Sequence, residues 1–250
     1  MAAAWGIFCR WAWRAAHNPR GDVTSGIVWS FARVYARVWH GLRVVGRHHV
    51  PPRPVVNGRP VLVVANHSAG VDPVLIQAAL PWYVRFMMAA DMRAPAFEDF
   101  WQFAEVIFLD RSGKADVGAF RTALGVMAAG NALGIFPEGK LRRSRNELNP
   151  FLPGIGLLIA KGNALVLPVV ITGTPLRRET WHSLVFPSRS TVEFKPLVDF
   201  RKMGLKPGEY AARLREMYAK WMAESGYAPE GVVEELNDQG MPETTAVATA

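Results

Sequence analysis

The chain has 250 residues, half of them apolar, enough to bury one substantial core and too few for two large domains. Its one cysteine, Cys9, excludes an intrachain disulfide framework and a cysteine-built metal site, and points to a reducing compartment. A formal charge of +8 and a pI near 10.0 call for an anionic partner: nucleic acid, an anionic membrane surface or a phosphorylated small molecule.

Residues 1–48 read as two short amphipathic helices, basic and aromatic, broken at Asn18-Pro19-Arg20-Gly21. The first fifty residues hold seven arginines (Arg10, Arg14, Arg20, Arg33, Arg37, Arg43, Arg47) against one acid, Asp22. In the first helix Trp5, Phe8, Trp11 and Trp13 supply bulk. In the second, Arg33, Arg37 and His40 share one face, and Val28, Phe31, Val34, Val38, Leu42 and Val45 fill much of the rest. A spanning helix needs about 20 apolar residues in a row, which the arginines interrupt, and a signal peptide carries its charge ahead of its apolar stretch. Helices lying in the headgroup plane fit the pattern, with tryptophan at the boundary and arginine toward lipid phosphates. An ordinary amphipathic helix packed on a domain fits the same spacing.

From Pro51 onward strand and helix patterns alternate. Strands are expected at Val61–Ala65, Tyr83–Met88, Val106–Leu109, Leu133–Phe136, Leu165–Ile171 and Thr191–Phe194, and helices at Pro73–Ala79, Ala94–Phe103, Lys114–Ala129 and Gly154–Lys161. A last amphipathic helix, marked by Tyr210, Leu214, Met217 and Trp221, ends at Gly226. This succession predicts a single α/β domain over residues 49–226, with a mostly parallel central sheet flanked by helices. Residues 227–250 are acidic, then Thr/Ala-rich, and are expected to be disordered.

The most informative run is Val61 to Pro73. Five consecutive apolar residues, the pattern of a strand buried on both faces, deliver Asn66, His67 and Asp72 to the strand's end. If Ser68 to Gly70 form a turn, for which Gly70 is suited, Asp72 can hold one ring nitrogen of His67 and leave the other to accept a proton from a substrate hydroxyl. The alternative makes His67 a turn residue and Asp72 the N-cap of a helix beginning at Pro73. Further on, Gly134-Ile-Phe-Pro-Glu-Gly-Lys140 meets the spacing of a Walker A loop, but Leu141 stands where a magnesium-binding hydroxyl belongs, and Pro137 and Glu138 are unsuited to cradling phosphate. Read instead as a turn after a strand, Pro137-Glu138-Gly139 brings a carboxylate to the sheet edge that carries His67, where ligands of open α/β sheets bind. Arg111, after Leu109, is suited to a bidentate phosphate grip or to a solvated pair with Asp110. Lys140, Arg142, Arg143 and Arg145 form a basic cluster available to phosphate or headgroups. The G-x-S-x-G elbow of a serine hydrolase is missing around Ser68, and no zinc-ligand spacing occurs. Nucleic-acid binding would account for the pI and the aromatics but not for a His/Asp pair at the end of a buried strand.

Four segments, in order, resemble the glycerolipid acyltransferase family typified by 1-acylglycerol-3-phosphate acyltransferase, over roughly residues 40 to 200. N-H-x-x-x-x-D is similar to Asn66, His67 and Asp72. G-x-I-F-[IVL]-D-R is similar to Glu105–Arg111, with Glu105 in place of the glycine. F-P-E-G is Phe136 to Gly139, and the strand of type V-P-[IV] is similar to Val166–Ile171 with Pro168. The resemblance implies His67 as general base, Asp72 as its partner, Arg111 as a phosphate ligand and Glu138 as part of the acceptor site; Asn66 and Gly139 are expected on the substrate side with them, as are Arg142 and Arg143, either of which could carry the role of the arginine that follows F-P-E-G. The family commonly continues F-P-E-G with T-R-S, whereas here Lys140-Leu141-Arg142 precedes Arg143-Ser144. It implies acyl transfer from acyl-CoA or acyl carrier protein, as co-substrate, to a lysophospholipid acceptor, giving phosphatidic acid from 1-acyl-glycerol-3-phosphate. Glycerol-3-phosphate or an amino-acid lipid are alternative acceptors, and a non-catalytic lipid-binding adaptor of the same fold is the alternative function. No metal or redox cofactor is required. Backbone amides near Gly139 are a candidate oxyanion site. The expected location is an anionic membrane surface on the cytoplasmic face.

Overall fold

In a computed structural model, residues 2–111, 116–142, 148–175 and 180–226 are described. The expected tail over 227–250 lies outside them. Two helices come first, α1 (Ala2–Ala16) and α2 (Val23–Val38), with Asp22 capping α2 through a bond from the Ser25 amide (2.7 Å). They cross closely, since a Cβ on Gly26 would lie 1.8 Å from the Ala15 carbonyl oxygen. The second helix is shorter than its apolar spacing implies. It stops at Val38, Gly41 turns the chain at φ 49°, and Val45 belongs to a strand the periodicity missed, β1 (Arg43–Val45). No helix among the described residues is long and apolar enough to cross a membrane.

The rest alternates as β2 (Val55–Val56), β3 (Arg59–Ala65), α3 (Asp72–Ala79), β4 (Val84–Ala89), α4 (Glu98–Phe103), β5 (Ile107–Leu109), α5 (Val117–Ala128), β6 (Ala132–Ile135), α6 (Gly154–Lys161), β7 (Leu165–Thr172), α7 (His182–Val185), β8 (Thr191–Phe194) and α8 (Tyr210–Glu224). The sheet runs β1-β8-β7-β3-β6-β4-β5. β7–β8 pairs antiparallel within it, every other neighbouring pair in this order is parallel, and β2 pairs antiparallel with β3. The expected α/β architecture is therefore the observed one. β1 and β2 are too short to show a pattern, and three strands are displaced or trimmed by a residue. The expected helix over Lys114–Ala129 begins at Val117, capped by Asp116 (2.9 Å to the Ala119 amide); Lys114 lies outside the described residues. Ala94–Phe103 divides into a 3₁₀ turn at Pro95–Phe97 and α4.

β3 is buried on both faces, as its unbroken apolar run requires. Leu62 and Val64 point to a core built with Met127, Ile155, Ile159, Leu214 and Tyr218, and Val61, Val63 and Ala65 to one built with Leu75, Ile76 and Ala36. The α8 face that packs is Tyr210, Ala211, Leu214, Tyr218 and Met222, which takes in Tyr210 and Leu214 of the expected stripe. It is rotated from the expected stripe, so Met217 and Trp221 only flank it. Because β3, β4, β5 and β6 are parallel neighbours, the segments that follow them all emerge on one edge.

Candidate active site

β3 ends at Ala65, and the next residues are locked in place one by one. Asn66 is fully buried and spends its side chain on β7, donating from Nδ2 to the Ile171 carbonyl and accepting at Oδ1 from the Ile171 amide, both at 2.8 Å. It extends the β3–β7 ladder by one step through a side chain. The substrate-binding role expected of it is not what the geometry provides, because both ends of the amide are consumed.

His67 follows, and four contacts set its position. Its amide donates to Glu138 Oε1 (2.8 Å), and its carbonyl accepts from the Arg142 amide (2.9 Å). Its ring lies on Phe136, with centroids 4.0 Å apart and planes 19° off parallel. Nδ1 bonds Asp72 Oδ2 at 3.0 Å. The same carboxylate oxygen accepts from the amides of Ser68 (2.8 Å) and Ala69 (2.9 Å). Asp72 is fully buried, and as the first residue of α3 its negative charge faces the positive end of the helix dipole. The N-cap is Val71, so the capping role considered for Asp72 is replaced by this closed loop. Gly70 serves the loop differently from the expected turn. Its φ is not positive, but a Cβ there would lie 2.4 Å from Thr180 Cγ2 and 2.5 Å from the Thr180 carbonyl oxygen, so glycine lets the 180 segment pass over.

With Nδ1 taken by a carboxylate, the tautomer places a proton on Nδ1 and leaves Nε2 as an acceptor. Nε2 has no partner among the described residues, and the ring is partly exposed at 18%. His67 lines a cavity of about 1530 Å³ whose walls are mostly apolar, above the 300–1,000 Å³ usual for small-molecule sites.

Glu138 sits at the expected sheet edge, but its carboxylate is buried and faces inward. Oε1 takes the His67 amide, Oε2 the Asn149 amide (3.1 Å), and the Arg142 guanidinium lies 3.8 Å away. Burial raises its pKa above the usual carboxylate value, opposed by Arg142 and the two amides. Its geometry is that of a brace for His67 rather than a substrate ligand. Arg142 is likewise buried beside Glu138, and with Gly139 and Lys140 it lines the cavity. The Gly139 amide closes the turn onto the Phe136 carbonyl (3.1 Å), which removes it as an oxyanion donor. Arg143 lies outside the described residues.

Arg111 emerges after β5 onto the same cavity. One guanidinium nitrogen bonds the Gly139 carbonyl, and the other bonds both oxygens of Asp91 at 2.8 Å. Asp91 follows β4, and the guanidinium holds its carboxyl below the usual range. No spacing links Asp91 to Arg111 across twenty residues, so sequence reading passed it over. The ring platform of Phe136 was equally hidden, since apolar residues ending a strand read as core.

A buried carboxylate here orients a histidine that lines an apolar cavity with Arg111, an arrangement able to take up a proton beside an apolar ligand and to offer positive charge to an anion. The chain belongs to the Acyltransferase family, whose model matches residues 41–172, from the entry to β1 through β7, and so takes in His67, Asp72, Arg111 and Glu138. Among curated relatives, a probable 1-acyl-sn-glycerol-3-phosphate acyltransferase of Mycoplasma genitalium is 26% identical over 151 residues, covering 58% of this chain and 56% of the relative. The 1-acyl-sn-glycerol-3-phosphate acyltransferase of Saccharomyces cerevisiae is 25% identical over 207 residues, covering 80% and 64%. The chain thus spans less than two thirds of the length of either relative. The crystal structure of the 1-acyl-sn-glycerophosphate (LPA) acyltransferase PlsC from Thermotoga maritima shares the fold, with a TM-score of 0.63 at 19% identity over 89% of this chain and 88% of that one. The resemblance read from the four sequence blocks is borne out.

Proposed function

We propose that the protein transfers a fatty acyl group from the thioester of acyl-CoA or acyl carrier protein to the hydroxyl of a lysophospholipid, with 1-acyl-glycerol-3-phosphate as acceptor and phosphatidic acid as product. The observation that carries this reading is the His67–Asp72 pair on the wall of the large apolar cavity. His67 Nε2 removes the hydroxyl proton as the oxygen attacks the thioester carbonyl. The tetrahedral intermediate then collapses, the C–S bond breaks, and the imidazolium returns the proton to the departing thiolate. Asp72 supports the imidazolium that forms between these steps. Arg111, anchored by Asp91 and still on the cavity rim, and Lys140 supply positive charge for the acceptor phosphate. Glu105, which stands in place of the family's glycine, bonds Arg20 and Arg85, is not among the contacts around His67 and takes no part in these steps.

The same reading places the enzyme on an anionic membrane surface at the cytoplasmic face, where a lysophospholipid resides. Its support is the exposed apolar side of the two-helix arm, with Trp5 68%, Phe31 70% and Val38 76% exposed.

The test is CoA thiol release with lysophosphatidate and a panel of other lysolipids. His67→Ala is expected to lower turnover by roughly a hundred- to ten-thousand-fold, the worth of a general base. Full activity in that variant would sink the mechanism, and no turnover by the wild type on any donor and acceptor would sink the transfer reading.

A further inference from the structure

β6 carries a glycine, Gly134, at a position paired on both sides, with β3 and with β4. Glycine inside a strand gives up packing and backbone entropy, and it persists where another group needs the room. Here the room is taken. A Cβ on Gly134 would lie 2.5 Å from Cδ1 and from Cε1 of Phe86 and 2.7 Å from Val84 Cγ1, against ~3.5–4.0 Å for carbon atoms in contact. Phe86 is the residue of β4 directly opposite Gly134, so its ring leans across the neighbouring strand where that strand has no side chain.

Phe136 lies two residues beyond Gly134, and two residues along a strand return to the same face of the sheet. The Phe86 ring, lodged over Gly134, meets the Phe136 ring with centroids 5.8 Å apart and planes 14° off parallel. That separation is within the range of stacked aromatic pairs. Phe136 in turn carries the His67 ring at 4.0 Å and 19°. β6 stands between β3 and β4 in the sheet, so the middle ring follows the middle strand, with the histidine arriving from one side and Phe86 from the other. The bond to Asp72 fixes one edge of the imidazole but leaves the ring free to tilt about the line from Nδ1 to Oδ2. A flat partner stops the tilt only while it is itself held flat.

We propose that Phe86 is a positioning residue for His67: it holds the Phe136 ring in the plane that keeps Nδ1 on Asp72 and Nε2 on the cavity. Gly134 is its counterpart, since the phenyl ring fits only where β6 has no side chain. Both stand outside the four blocks that resemble the acyltransferase family. The role of His67 as base rests on the acyl-transfer reading; the support of its ring does not.

The experiment compares Gly134→Ala, Phe86→Leu and the two combined with wild type. CoA release at varied lysophosphatidate gives kcat and KM, and NMR of protein isotope-labelled at histidine, in alkaline buffer, gives the tautomer of His67. Its signal is assigned by its absence from His67→Ala. In wild type the ring is expected as one tautomer, with the proton on Nδ1. Gly134→Ala drives a methyl group into the Phe86 ring. Its kcat is expected to fall roughly ten- to a hundredfold, the scale of a displacement of about 1 Å, with KM little changed and the His67 signal split between tautomers. Phe86→Leu, which keeps apolar bulk without a flat face, is expected to lower kcat and loosen the tautomer as well, and carries the test if Gly134→Ala fails to fold. In the combined protein the shorter side chain makes room for the methyl group, so Gly134→Ala costs far less in the Phe86→Leu background than alone. Equal costs in the two backgrounds would overturn the proposal. So would a rise in KM with kcat and tautomer unmoved, which would make Phe86 a substrate contact. If wild type releases no CoA while the His67 signal responds to both substitutions, the transfer reading fails and the positioning role stands. An active transferase whose kcat and His67 signal ignore both does the reverse.

Discussion

Two histidines in this molecule show how hydrogen bonding separates chemistry from structure. His67 has one ring nitrogen committed to Asp72 and the other on a cavity, whereas His40 is fully buried with both committed. His40 Nε2 meets the Tyr35 hydroxyl at 2.9 Å, and since that hydroxyl donates to the Leu184 carbonyl, Nε2 carries the proton. Nδ1 then accepts from Ser188 Oγ at 2.7 Å, and the neutral ring has every position satisfied. Burial lowers its pKa below 6.5, with the Asp72 charge opposing. As pH falls below 6.5 the unfolded chain takes up a proton that the folded chain refuses. The stability this ring contributes is therefore complete above that value and is lost as pH drops through the interval down to the lowered one. Thermal melts across that interval should show Tm declining with acidification, and His40→Asn should flatten the slope; an unchanged slope would assign the acid sensitivity elsewhere. From sequence, His40 read as the polar face of a helix and His67 as half of a possible dyad. The second was legible because a run of apolar residues fixes where a strand ends, and its next residues must emerge there. Asn66 and Glu138 were legible as members of the site but not in their sense. Whether a polar side chain faces a cavity or braces a loop depends on contacts from β7, Arg142 and Asn149, which no local spacing records.

β3 and β7 illustrate how an element can be complete only with help from elsewhere. Val64 is opposite Pro168, which has no amide to give. Tyr218, fully buried on α8, reaches into this step, donating to the Val64 carbonyl at 2.6 Å and accepting from the Val169 amide at 3.0 Å. Beyond it Asn66 bonds both groups of Ile171, so the last part of the ladder before His67 is finished by two side chains. Tyr218→Phe keeps the ring and its packing but strands a carbonyl and an amide in the core, at a cost of about 1–3 kcal/mol. For a domain of this size that is a fall in Tm of roughly 2–10 °C. Urea or thermal unfolding measures it, and a loss below about 0.5 kcal/mol would mean the ladder closes by itself. The strands and the alternation with helices were readable because burial on both faces demands unbroken apolar runs. The hydroxyl's task was not, since a tyrosine on an amphipathic helix counts as core whatever its oxygen touches.

At the scale of the whole molecule, the arm joins the site to its surroundings. α2 covers the α3 side of the sheet and contributes Val28 and Trp29 to the cavity wall, while its other side leaves Phe31, Val34 and Val38 in solvent. Trp39 and Tyr35 bond the carbonyls of Val185 and Leu184, so exposed Val185 and Phe186 continue the same apolar region beyond the arm. An apolar patch bordered by arginines suits an interface whose interior is hydrocarbon and whose rim is anionic. Two contributions to binding then separate. The arginines add on the order of 1 kcal/mol each near an anionic surface and weaken within a Debye length of about 10 Å in 0.1 M salt. The buried side chains add about 1.5–3 kcal/mol each and do not respond to salt in this way. Co-sedimentation with phosphatidylglycerol vesicles should therefore weaken only in part as salt is raised. Phe31→Asp combined with Val38→Asp should reduce binding by roughly a hundredfold or more at any salt. Both side chains stand clear of the core, so the folded domain and its thermal transition should be retained. Binding abolished by salt alone, or unmoved by the double substitution, would mean that charge holds the protein on the surface and that the exposed apolar face does not enter the bilayer.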